Sequence, residues 1–589
     1  MLNRRYQEAA RSIELLLEPL EGVRTLNERD MSFYNRGLFS QGWEIPGLFE
    51  GAEYMLRVLL PYTSPFSPPR IAVWPTPSLL EWPHLEEKGL LCLMSDTATY
   101  SIYDCGGVTK YLLIDAIKFV NDSLSGANIS DFEDEFQSYW GRWDAAKNNY
   151  MYIFCLPIGP SRWVSSWHSQ GLLLVADNEA ELLKWIEHRY GKENLSKVRP
   201  QKIPLLWLPR PLRPKEYPKS VNMLCSILKA LDVDNGIVKR LLVDEQLKDH
   251  SVVLGFQGRK GAWFAGLFIG NPAIPLKKGG FTKKRPPDNI IFMRYGGAKI
   301  IGAQATRLDS SWIHGRDYNL QERLLSERSV IIFGIGSIGS FIAKLLEMSG
   351  VGELILVDPE MLSSENPGRH VLGINSIGRN KAKALAEKLN AEFPHLKICG
   401  YDMTCENFFS AVFPTIQKPD LIISTIGSWQ SEGWLNAMAV NLTIHSPILY
   451  GWTEPHAAAG HAVVFHTGQG CLRCIRDDMG KEKLPVTSWP EDGTMVPVLA
   501  CGGYFQPYGA VELSHIHGLI ADLALDVLLG NTMTSTHKIW IGPKKIIESA
   551  GGRWNISWIE NFGEPGKGGY LKDIEMLPDT DCPECGRRP

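Results

Sequence analysis

The chain has 589 residues, 44% of them hydrophobic and 21% charged, and its 61 basic and 65 acidic residues give a formal net charge of −4. This length favours three or four domains, and the nearly balanced charge gives no electrostatic reason to expect nucleic acid as a partner. No apolar run approaches the ~18 residues of a membrane span, and the N-terminus lacks the apolar segment of a signal peptide. We therefore expect a cytoplasmic protein that binds neither nucleic acid nor a membrane.

Residues 1–150 are predicted to form an α+β domain, because a helical pattern is followed by short alternating strands and then by a second helical pattern. Cys92 lies between the strands and the second helix, in the sequence EKGLLCLMSD. Whether it is a core thiol or a reactive one depends on what the rest of the chain supplies. The predicted elements are a helix from Tyr6 to Leu17, strands at 42–51, 52–61 and 70–75, and a helix at 109–124.

Residues 151–310 are predicted to be a connecting domain. They contain strand-like and helix-like segments but no motif that indicates chemistry or a particular fold. A basic segment rich in glycine and proline, 275–288, is typical of an exposed loop or linker. The predicted elements are strands at 152–159, 171–177 and 251–256 and helices at 178–190 and 221–232.

Residues 311–589 are predicted to form a doubly wound, Rossmann-like α/β domain. A buried strand leads into Gly334, Gly336 and Gly339, which form a G-x-G-x-x-G turn before a helix. Backbone N–H groups at such a turn bind phosphate oxygens. Asp358 ends the next strand, where a carboxylate accepts hydrogen bonds from ribose hydroxyls. This much fits a nicotinamide or flavin dehydrogenase as well as an enzyme that uses ATP.

Three polar residues beyond the ribose carboxylate favour adenylation. Asn366 and Arg369 follow it closely, and Lys381 begins the next predicted helix. Cations here have little use in a dehydrogenase, whereas attack of a carboxylate on the α-phosphate of ATP develops charge on phosphorus and on the leaving pyrophosphate. The alternative is that Arg369 and Lys381 are ordinary surface charges.

Two Cys-x-x-Cys pairs predict a structural zinc site. Two such pairs together supply the four thiolates of a closed tetrahedral site, although either pair alone would also suit a redox dithiol. Cys501 stands apart, in a glycine-containing loop before an apolar helix, where a thiolate would be stabilised by the helix N-terminus. The alternative for Cys501 is a small core residue. The four predicted zinc ligands are Cys471, Cys474, Cys582 and Cys585.

The run from Arg316 to about Gly530 resembles the adenylating domain of the ThiF, MoeB and ubiquitin-activating superfamily. The resemblance rests on the glycine turn, Asp358, the N-x-x-R of Asn366 and Arg369, Lys381, the strand DLIISTIG and the cysteine pairs. It implies ATP and Mg²⁺ as cofactors, Arg323 as a residue that reaches the phosphates, and Cys501 as the thiol that receives the activated acyl group. One position departs from the pattern, because Gly427 stands where the family carries a magnesium-binding aspartate.

Residues 1–150 resemble ubiquitin-conjugating enzymes. The turn with Pro65, Phe66, Pro68 and Pro69 is followed by a strand, a histidine and Gly-x-x-Cys-Leu at Cys92. The resemblance implies that Cys92 carries a thioester. The family's His-Pro-Asn, whose asparagine assists isopeptide formation, is replaced by His84-Leu85-Glu86, and His84 is expected to be structural. Three residues remain open as groups that assist the incoming amine, namely Asp96, Tyr103 and Asp104.

The whole chain resembles the bacterial fusions of ubiquitin-activating-like and ubiquitin-conjugating-like domains found with CBASS anti-phage systems. This implies ATP-dependent activation of the free C-terminus of a protein, expected to be a cGAS-like nucleotidyltransferase. The acyl group would pass from Cys501 to Cys92 and then to a target amine such as a lysine. A homodimer is expected. The alternatives are an activator of a sulfur-carrier protein, as in thiamine or molybdopterin synthesis, and a non-catalytic scaffold.

Overall fold

The structure, a computed structural model, divides the chain into two compact units. One unit comprises residues 1–179 and 199–307, and the other comprises residues 180–198 and 308–589. The domain division at residues 150 and 310 stays a prediction. The described residues are 2–34, 37–49, 52–95, 97–169, 171–259, 261–272, 274–275, 285–490, 494, 496–497, 504–505, 508–576 and 578–586.

The N-terminal part of the first unit is a four-stranded antiparallel meander, in the order β1-β2-β3-β4, with helices packed against it. Apolar residues of the first helix, among them Ile13 and Leu17, are buried in one cluster with Val58 of the sheet and Ala116 of the long third helix. The elements are α1 (Leu2–Leu17), β1 (Arg24–Thr25), α2 (Glu28–Phe33), β2 (Phe39–Phe49), β3 (Ala52–Pro61), β4 (Arg70–Trp74), α3 (Cys105–Ser125), α4 (Asp131–Asp134) and α5 (Phe136–Arg142), with a 3₁₀ turn at Glu87–Gly89.

The rest of the first unit is built on a closed seven-stranded barrel in the order β10-β11-β5-β7-β6-β8-β9. The first and last of these strands along the chain, β5 and β11, are parallel neighbours. The interior of the barrel is filled by apolar side chains such as Met151 and Phe264. The strands are β5 (Tyr150–Ile153), β6 (Arg162–Ser169), β7 (Leu172–Ala176), β8 (Gln201–Leu208), β9 (Ser251–Gly258), β10 (Gly261–Ile269) and β11 (Ile300–Arg307), and the helices are α7 (Val221–Ala230), α8 (Gly236–Val243) and α9 (Asp288–Tyr295), with a 3₁₀ turn at Pro214–Glu216. Between β7 and β8 the chain also forms α6 (Glu179–Tyr190) and a 3₁₀ turn at Lys192–Lys197, and residues 180–198 belong to the second unit.

Helix α5 joins the meander to the barrel through a shared core. Phe136 and Trp140 are buried in one cluster with Leu206 and Phe256 of the barrel strands. The indole N–H of Trp140 donates to the carbonyl oxygen of Ala303 at 2.9 Å. A buried aromatic side chain contributes its apolar area and satisfies its polar atom at the same time, so the two parts of this unit share their stabilisation.

The second unit is centred on an eight-stranded sheet in the order β14-β13-β12-β15-β16-β17-β21-β23, parallel as far as β16 and antiparallel beyond it. Alternate residues of β12 enter two different apolar clusters, so both faces of the sheet are covered. The eight strands of this sheet are β12 (Ser329–Phe333), β13 (Glu353–Val357), β14 (Lys397–Tyr401), β15 (Leu421–Ser424), β16 (Ile448–Thr453), β17 (Ala459–Phe465), β21 (Thr536–Ile541) and β23 (Tyr570–Glu575). Two further two-stranded sheets pair β18 (Thr487–Ser488) with β22 (Arg553–Trp554) and β19 (Val496–Pro497) with β20 (Tyr504–Phe505).

The helices of the second unit follow the strands in the order expected of a doubly wound fold. Among the described residues, the helices are too short or too polar for any of them to cross a membrane. They are α10 (Ser310–Ile313), α11 (Leu320–Leu325), α12 (Gly339–Met348), α13 (Lys381–Glu392), α14 (Cys405–Ala411), α15 (Trp429–Val440), α16 (Ala510–Leu528), α17 (Lys544–Ser549) and α18 (Ile556–Phe562), with 3₁₀ turns at Pro367–Arg369, Ile374–Ser376, Phe413–Thr415, Pro455–Ala457 and Leu472–Cys474.

Candidate active sites

Cys92 is exposed at the end of a segment that folds back beside β4. The N–H of Leu91 donates to the carbonyl oxygen of Ile71 at 2.9 Å, and the N–H of Cys92 donates to the carbonyl oxygen of His84 at 2.9 Å. The turn between His84 and Leu91 needs Gly89, whose φ is +79° and whose added Cβ would lie 2.4 Å from the carbonyl oxygen of Val73. The main chain therefore fixes the position of this thiol.

A cleft of about 530 Å³ opens beside Cys92, and we name it the Cys92 cleft. Its walls are mostly apolar and come from the proline-rich turn before β4 and from the segment after Cys92. Among the described residues that line it, the charged side chains are Arg70 and Glu86. The residues that line the Cys92 cleft include Phe66, Pro68, Pro69, Arg70, Glu86, Cys92, Met94 and Tyr100.

The imidazole of His84 lies between two carboxylates, and both of its ring nitrogens face one of them. Its Nε2 lies 3.3 Å from a carboxylate oxygen of Asp131 and its Nδ1 lies 3.5 Å from Glu135. Its backbone N–H donates to the hydroxyl of Tyr139 at 2.8 Å, while its carbonyl accepts from Cys92. This placement agrees with the structural role expected for His84.

The other residues proposed to assist the amine have different surroundings. Asp104 caps α3, since its carboxylate accepts from the N–H of Gly107 at 2.8 Å. Tyr103 is 82% exposed, and the guanidinium of Arg5 lies 5.8 Å from its ring. Asp96 lies outside the described residues.

The pKa of the Cys92 thiol is raised above its ordinary value, first by partial desolvation of the group against the cleft wall and then by the carboxylate of Glu86. We therefore expect alkylation of Cys92 by iodoacetamide in the free protein to be slower at pH 7.5 than alkylation of a cysteine peptide. The rate should rise about tenfold per pH unit until the raised pKa is passed, since only the thiolate reacts. Peptide-resolved mass spectrometry measures this rate, and a plateau below pH 8 would contradict the expectation.

The glycine turn of the second unit lies at the carboxyl end of β12. Gly334 has a φ of +84°, and an added Cβ would come within 2.8 Å of the backbone of Thr425 and Ile426. An added Cβ on Gly339, at the start of α12, would lie 2.0 Å from the carbonyl oxygen of Gly334. At Gly336, however, an added Cβ would meet no atom within 4 Å. The middle glycine thus faces open space, as backbone that approaches a phosphate must.

Asp358 and Lys381 lie together at the neighbouring strand end. The Asp358 carboxylate is 5% exposed and accepts from the N–H of Ile335 at 2.6 Å, which ties it to the glycine turn. Burial raises its pKa, while hydrogen bonds from backbone N–H groups oppose that rise. Lys381 is buried, and its ammonium contacts the carboxylate of Glu360, which is mostly exposed. The Lys381 cation therefore lies near enough to Asp358 to lower the pKa of its carboxylate.

Arg369 and Asn366 follow on the same edge. The Arg369 guanidinium lies over the ring of Tyr508, 4.7 Å from its centroid, and the Asn366 carboxamide oxygen accepts from the N–H of Ser363 at 3.0 Å. Because it holds Ser363 in this way, Asn366 shapes the loop that carries Arg369.

Arg323 is exposed on α11, and the structure gives it no contact with the glycine turn.

Two histidines that the sequence did not single out hold the glycine turn. His370 is 7% exposed, and its Nε2 lies 2.8 Å from the carbonyl oxygen of Ile335 while its Nδ1 accepts from Leu372. His517 approaches from α16, with Nε2 2.9 Å from the carbonyl oxygen of Ser337. Burial lowers the pKa of both, to about 4 for His517, so both rings are neutral donors. In the sequence, the one indication of this role for His370 is that it directly follows Arg369, and His517 has no comparable indication.

At Gly427, where the resemblance implies a magnesium ligand, the chain offers a backbone N–H instead of a carboxylate. This N–H lies 3.3 Å from the carboxylate of Glu432, a residue that is 1% exposed and faces Arg476 at 3.6 Å. Glycine has no side-chain oxygen to give Mg²⁺, whereas the buried Oε2 of Glu432 has no hydrogen-bond donor among the described residues. Gly427 itself therefore does not fit a magnesium ligand.

The four paired cysteines come together in one cluster. All four sulfur atoms lie within 4.8 Å of one another, with 3.7 Å between Cys471 and Cys582 and 3.4 Å between Cys474 and Cys585. These distances are far longer than a disulfide bond and close to the ~3.8 Å edge of a tetrahedral site with zinc–sulfur bonds of ~2.3 Å. The donor set therefore fits a structural zinc ion. Cys501 lies outside the described residues.

Residues 21–152 match the Prokaryotic E2 family B, and residues 312–541 match the ThiF family. The chain thus joins a ubiquitin-conjugating-like domain to a ThiF-type adenylation domain, which confirms both family assignments predicted from the sequence. With an exposed cysteine in the first domain and a glycine-rich turn between a strand and a helix in the second, it is a ubiquitin-transferase-like enzyme.

The chain is similar to curated proteins and to solved structures over different parts of its length. It is 24% identical over 484 residues to the ATP-dependent ubiquitin transferase-like protein Cap2 of Pseudomonas aeruginosa, which covers 79% of this chain and 83% of that protein. It is 25% identical over 202 residues to the molybdopterin-synthase adenylyltransferase of Escherichia coli, covering 34% of this chain and 78% of that protein. A crystal structure of Escherichia coli MccB with MccA-N7isoASN is similar at 15% identity and a TM-score of 0.33, over 46% of this chain and 71% of MccB.

Proposed function

We propose that the protein uses ATP to adenylate the C-terminal carboxylate of a partner protein, captures the acyl group as a thioester, and ligates it to an amine. The observation that carries this proposal is the presence, in one chain, of an exposed thiol in an E2-like domain and a nucleotide-binding turn in a ThiF-type domain. Adenylation supplies the energy of the thioester, and passage between tethered thiols then costs little.

In the adenylation step, the glycine turn binds the phosphates and Asp358 accepts from the ribose. Lys381 and Arg369 then stabilise the charge that develops on the α-phosphate and on pyrophosphate, with Asn366 holding the loop of Arg369. Arg323 is proposed to reach the phosphates as the resemblance implies. Mg²⁺ is proposed as the ion that accompanies ATP, and we assign it no protein ligand.

In the transfer steps, Cys501 attacks the acyl adenylate and releases AMP. The thiolate of Cys92 then attacks the Cys501 thioester, so that a new carbon–sulfur bond forms as the old one breaks. The acyl group finally passes to an amine, for which a lysine of a target protein is proposed.

The partner is proposed to be a cGAS-like nucleotidyltransferase of a bacterial CBASS anti-phage system, as the resemblance to the CBASS-associated fusions implies. We further propose a cytoplasmic homodimer, as the adenylating superfamily implies. The test is a non-reducing gel with intact mass, using the purified chain, ATP, magnesium and the proteins encoded beside it. An adduct that thiols remove is the expected result. Absence of both the adduct and ATP–pyrophosphate exchange would favour the scaffold alternative.

A structural zinc ion is proposed at Cys471, Cys474, Cys582 and Cys585. When bound, it would fasten the C-terminal segment to the loop after β17. We expect Cys582→Ser to reduce zinc from one ion per chain to less than about a tenth, since three ligands hold zinc far more weakly than four. The apparent Tm should fall by about 5 °C or more. Elemental analysis and thermal scanning measure both values, and Cys225→Ser is the control that should keep its zinc.

A further inference from the structure

Glu86 occupies the position at which ubiquitin-conjugating enzymes carry the asparagine of His-Pro-Asn. Its carboxylate accepts a hydrogen bond from the Arg70 guanidinium at 2.9 Å, and the two side chains are 32% and 36% exposed. Both line the Cys92 cleft, and among the described lining residues they are the charged ones. The position that should carry the family's oxyanion donor therefore carries an ion pair.

The backbone places this ion pair beside the thiol. Arg70 is the first residue of β4, and the segment containing Glu86 returns alongside that strand. The N–H of Glu86 donates to the carbonyl oxygen of Leu90 at 2.8 Å, which closes the turn leading to Cys92. The pKa of the thiol responds to both groups, since Glu86 raises it and Arg70 lowers it. Both groups thus lie within electrostatic range of the reacting sulfur.

Two other candidates for this role are engaged elsewhere. His84 is held between Asp131 and Glu135, and Asp104 caps α3. Among the described residues that line the cleft, the carboxylate is that of Glu86.

We propose that Arg70 and Glu86 together perform the amine step at Cys92, with Glu86 as the proton acceptor and Arg70 as the oxyanion donor. This rests on the proposed function and assigns catalytic residues to its last step. The inferred acceptor is a primary amine that enters the Cys92 cleft.

The step balances without any further reactant. The neutral amine nitrogen bonds to the thioester carbonyl carbon, and the carbonyl oxygen becomes an oxyanion that accepts from the Arg70 guanidinium. The nitrogen, now cationic, gives a proton to the Glu86 carboxylate. Collapse of the intermediate breaks the carbon–sulfur bond, the electron pair leaves on the Cys92 sulfur, and the sulfur takes the proton back from Glu86. The products are an amide and the free thiol.

The test loads Cys92 of the full chain chemically, by exchange with a short peptide thioester ending in Gly-Gly, so that adenylation is bypassed. L-Lysine is the probe amine, and intact mass follows amide formation and loss of the thioester. With Cys92 fully loaded before lysine is added, we expect Glu86→Gln to slow aminolysis about 100-fold and Arg70→Ala to slow it by a similar factor. Glu87→Gln is the matched control, because Glu87 is exposed and outside the Cys92 cleft.

A structural role for Glu86 is separated by chemical rescue. In Glu86→Ala, added acetate should restore part of the lysine rate, because a small carboxylate can accept the proton in place of the side chain. Equal rates for Glu86→Gln and Glu87→Gln would overturn the proposal, as would slower loading and aminolysis together without rescue by acetate. Failure of the proposed function looks different, because then no thioester forms on Cys92 with ATP and the neighbouring proteins, whatever the residue at position 86.

Discussion

Replacing Cys92 with alanine is expected to abolish ligation to amines, by on the order of 10³-fold or more, because the thiol is the covalent carrier of the acyl group. ATP–pyrophosphate exchange should stay within about twofold of the wild type, since Cys92 belongs to the other unit of the chain. The measurement pairs a non-reducing gel with an exchange assay, using the proteins encoded beside this one as substrates. Cys225→Ser is the thiol control.

The companion variant, Cys501→Ala, separates two routes. Loss of the Cys92 adduct in this variant would establish the order of transfer proposed above. Survival of the adduct would mean that the adenylate feeds Cys92 directly. Full ligation by Cys92→Ala would contradict the E2-like role of this thiol.

Replacing Gly336 with valine is expected to remove ATP-dependent activity while leaving the fold unchanged. The new side chain meets no protein atom within 4 Å of its Cβ, so it fits the free protein but fills the space through which phosphates approach the backbone. Pyrophosphate exchange should fall by on the order of 100-fold or more, while Tm should change by less than about 2 °C.

The control for this variant is Gly297→Val, which makes the same substitution at another glycine with open space around it. Chemical loading of Cys92 by a peptide thioester should remain normal in both variants. Normal pyrophosphate exchange in Gly336→Val would remove the glycine turn from the nucleotide site. A large fall in Tm would show that the turn is packed more tightly than the open space around it indicates.

The sequence predicted those elements of the structure that depend on short, local segments of the chain. The glycine turn, the strands before Cys92 and the two cysteine pairs are each short and stereotyped, and the structure has the predicted elements at those places. The family assignments followed from these same residues and are confirmed. The roles of the individual site residues stay predictions.

The barrel could not have been predicted, because its order depends on pairings between distant segments. Its first strand, beginning at Tyr150, is a parallel neighbour of its last, which ends at Arg307. No spacing in the sequence records that closure. Likewise His517 reaches the glycine turn from a helix far along the chain, and Arg70 meets Glu86 only once a turn has folded back.

Helix α5 has a consequence for how the acyl-transfer chemistry tolerates change. The carboxylates around His84 stand just before this helix, and the helix itself is anchored by Phe136 and Trp140 in the barrel core. The barrel core therefore helps to position the loop that carries Cys92, which lies outside the barrel. Substitutions deep in the barrel, far from any substrate, should therefore alter the delivery of the acyl group while leaving the consumption of ATP untouched.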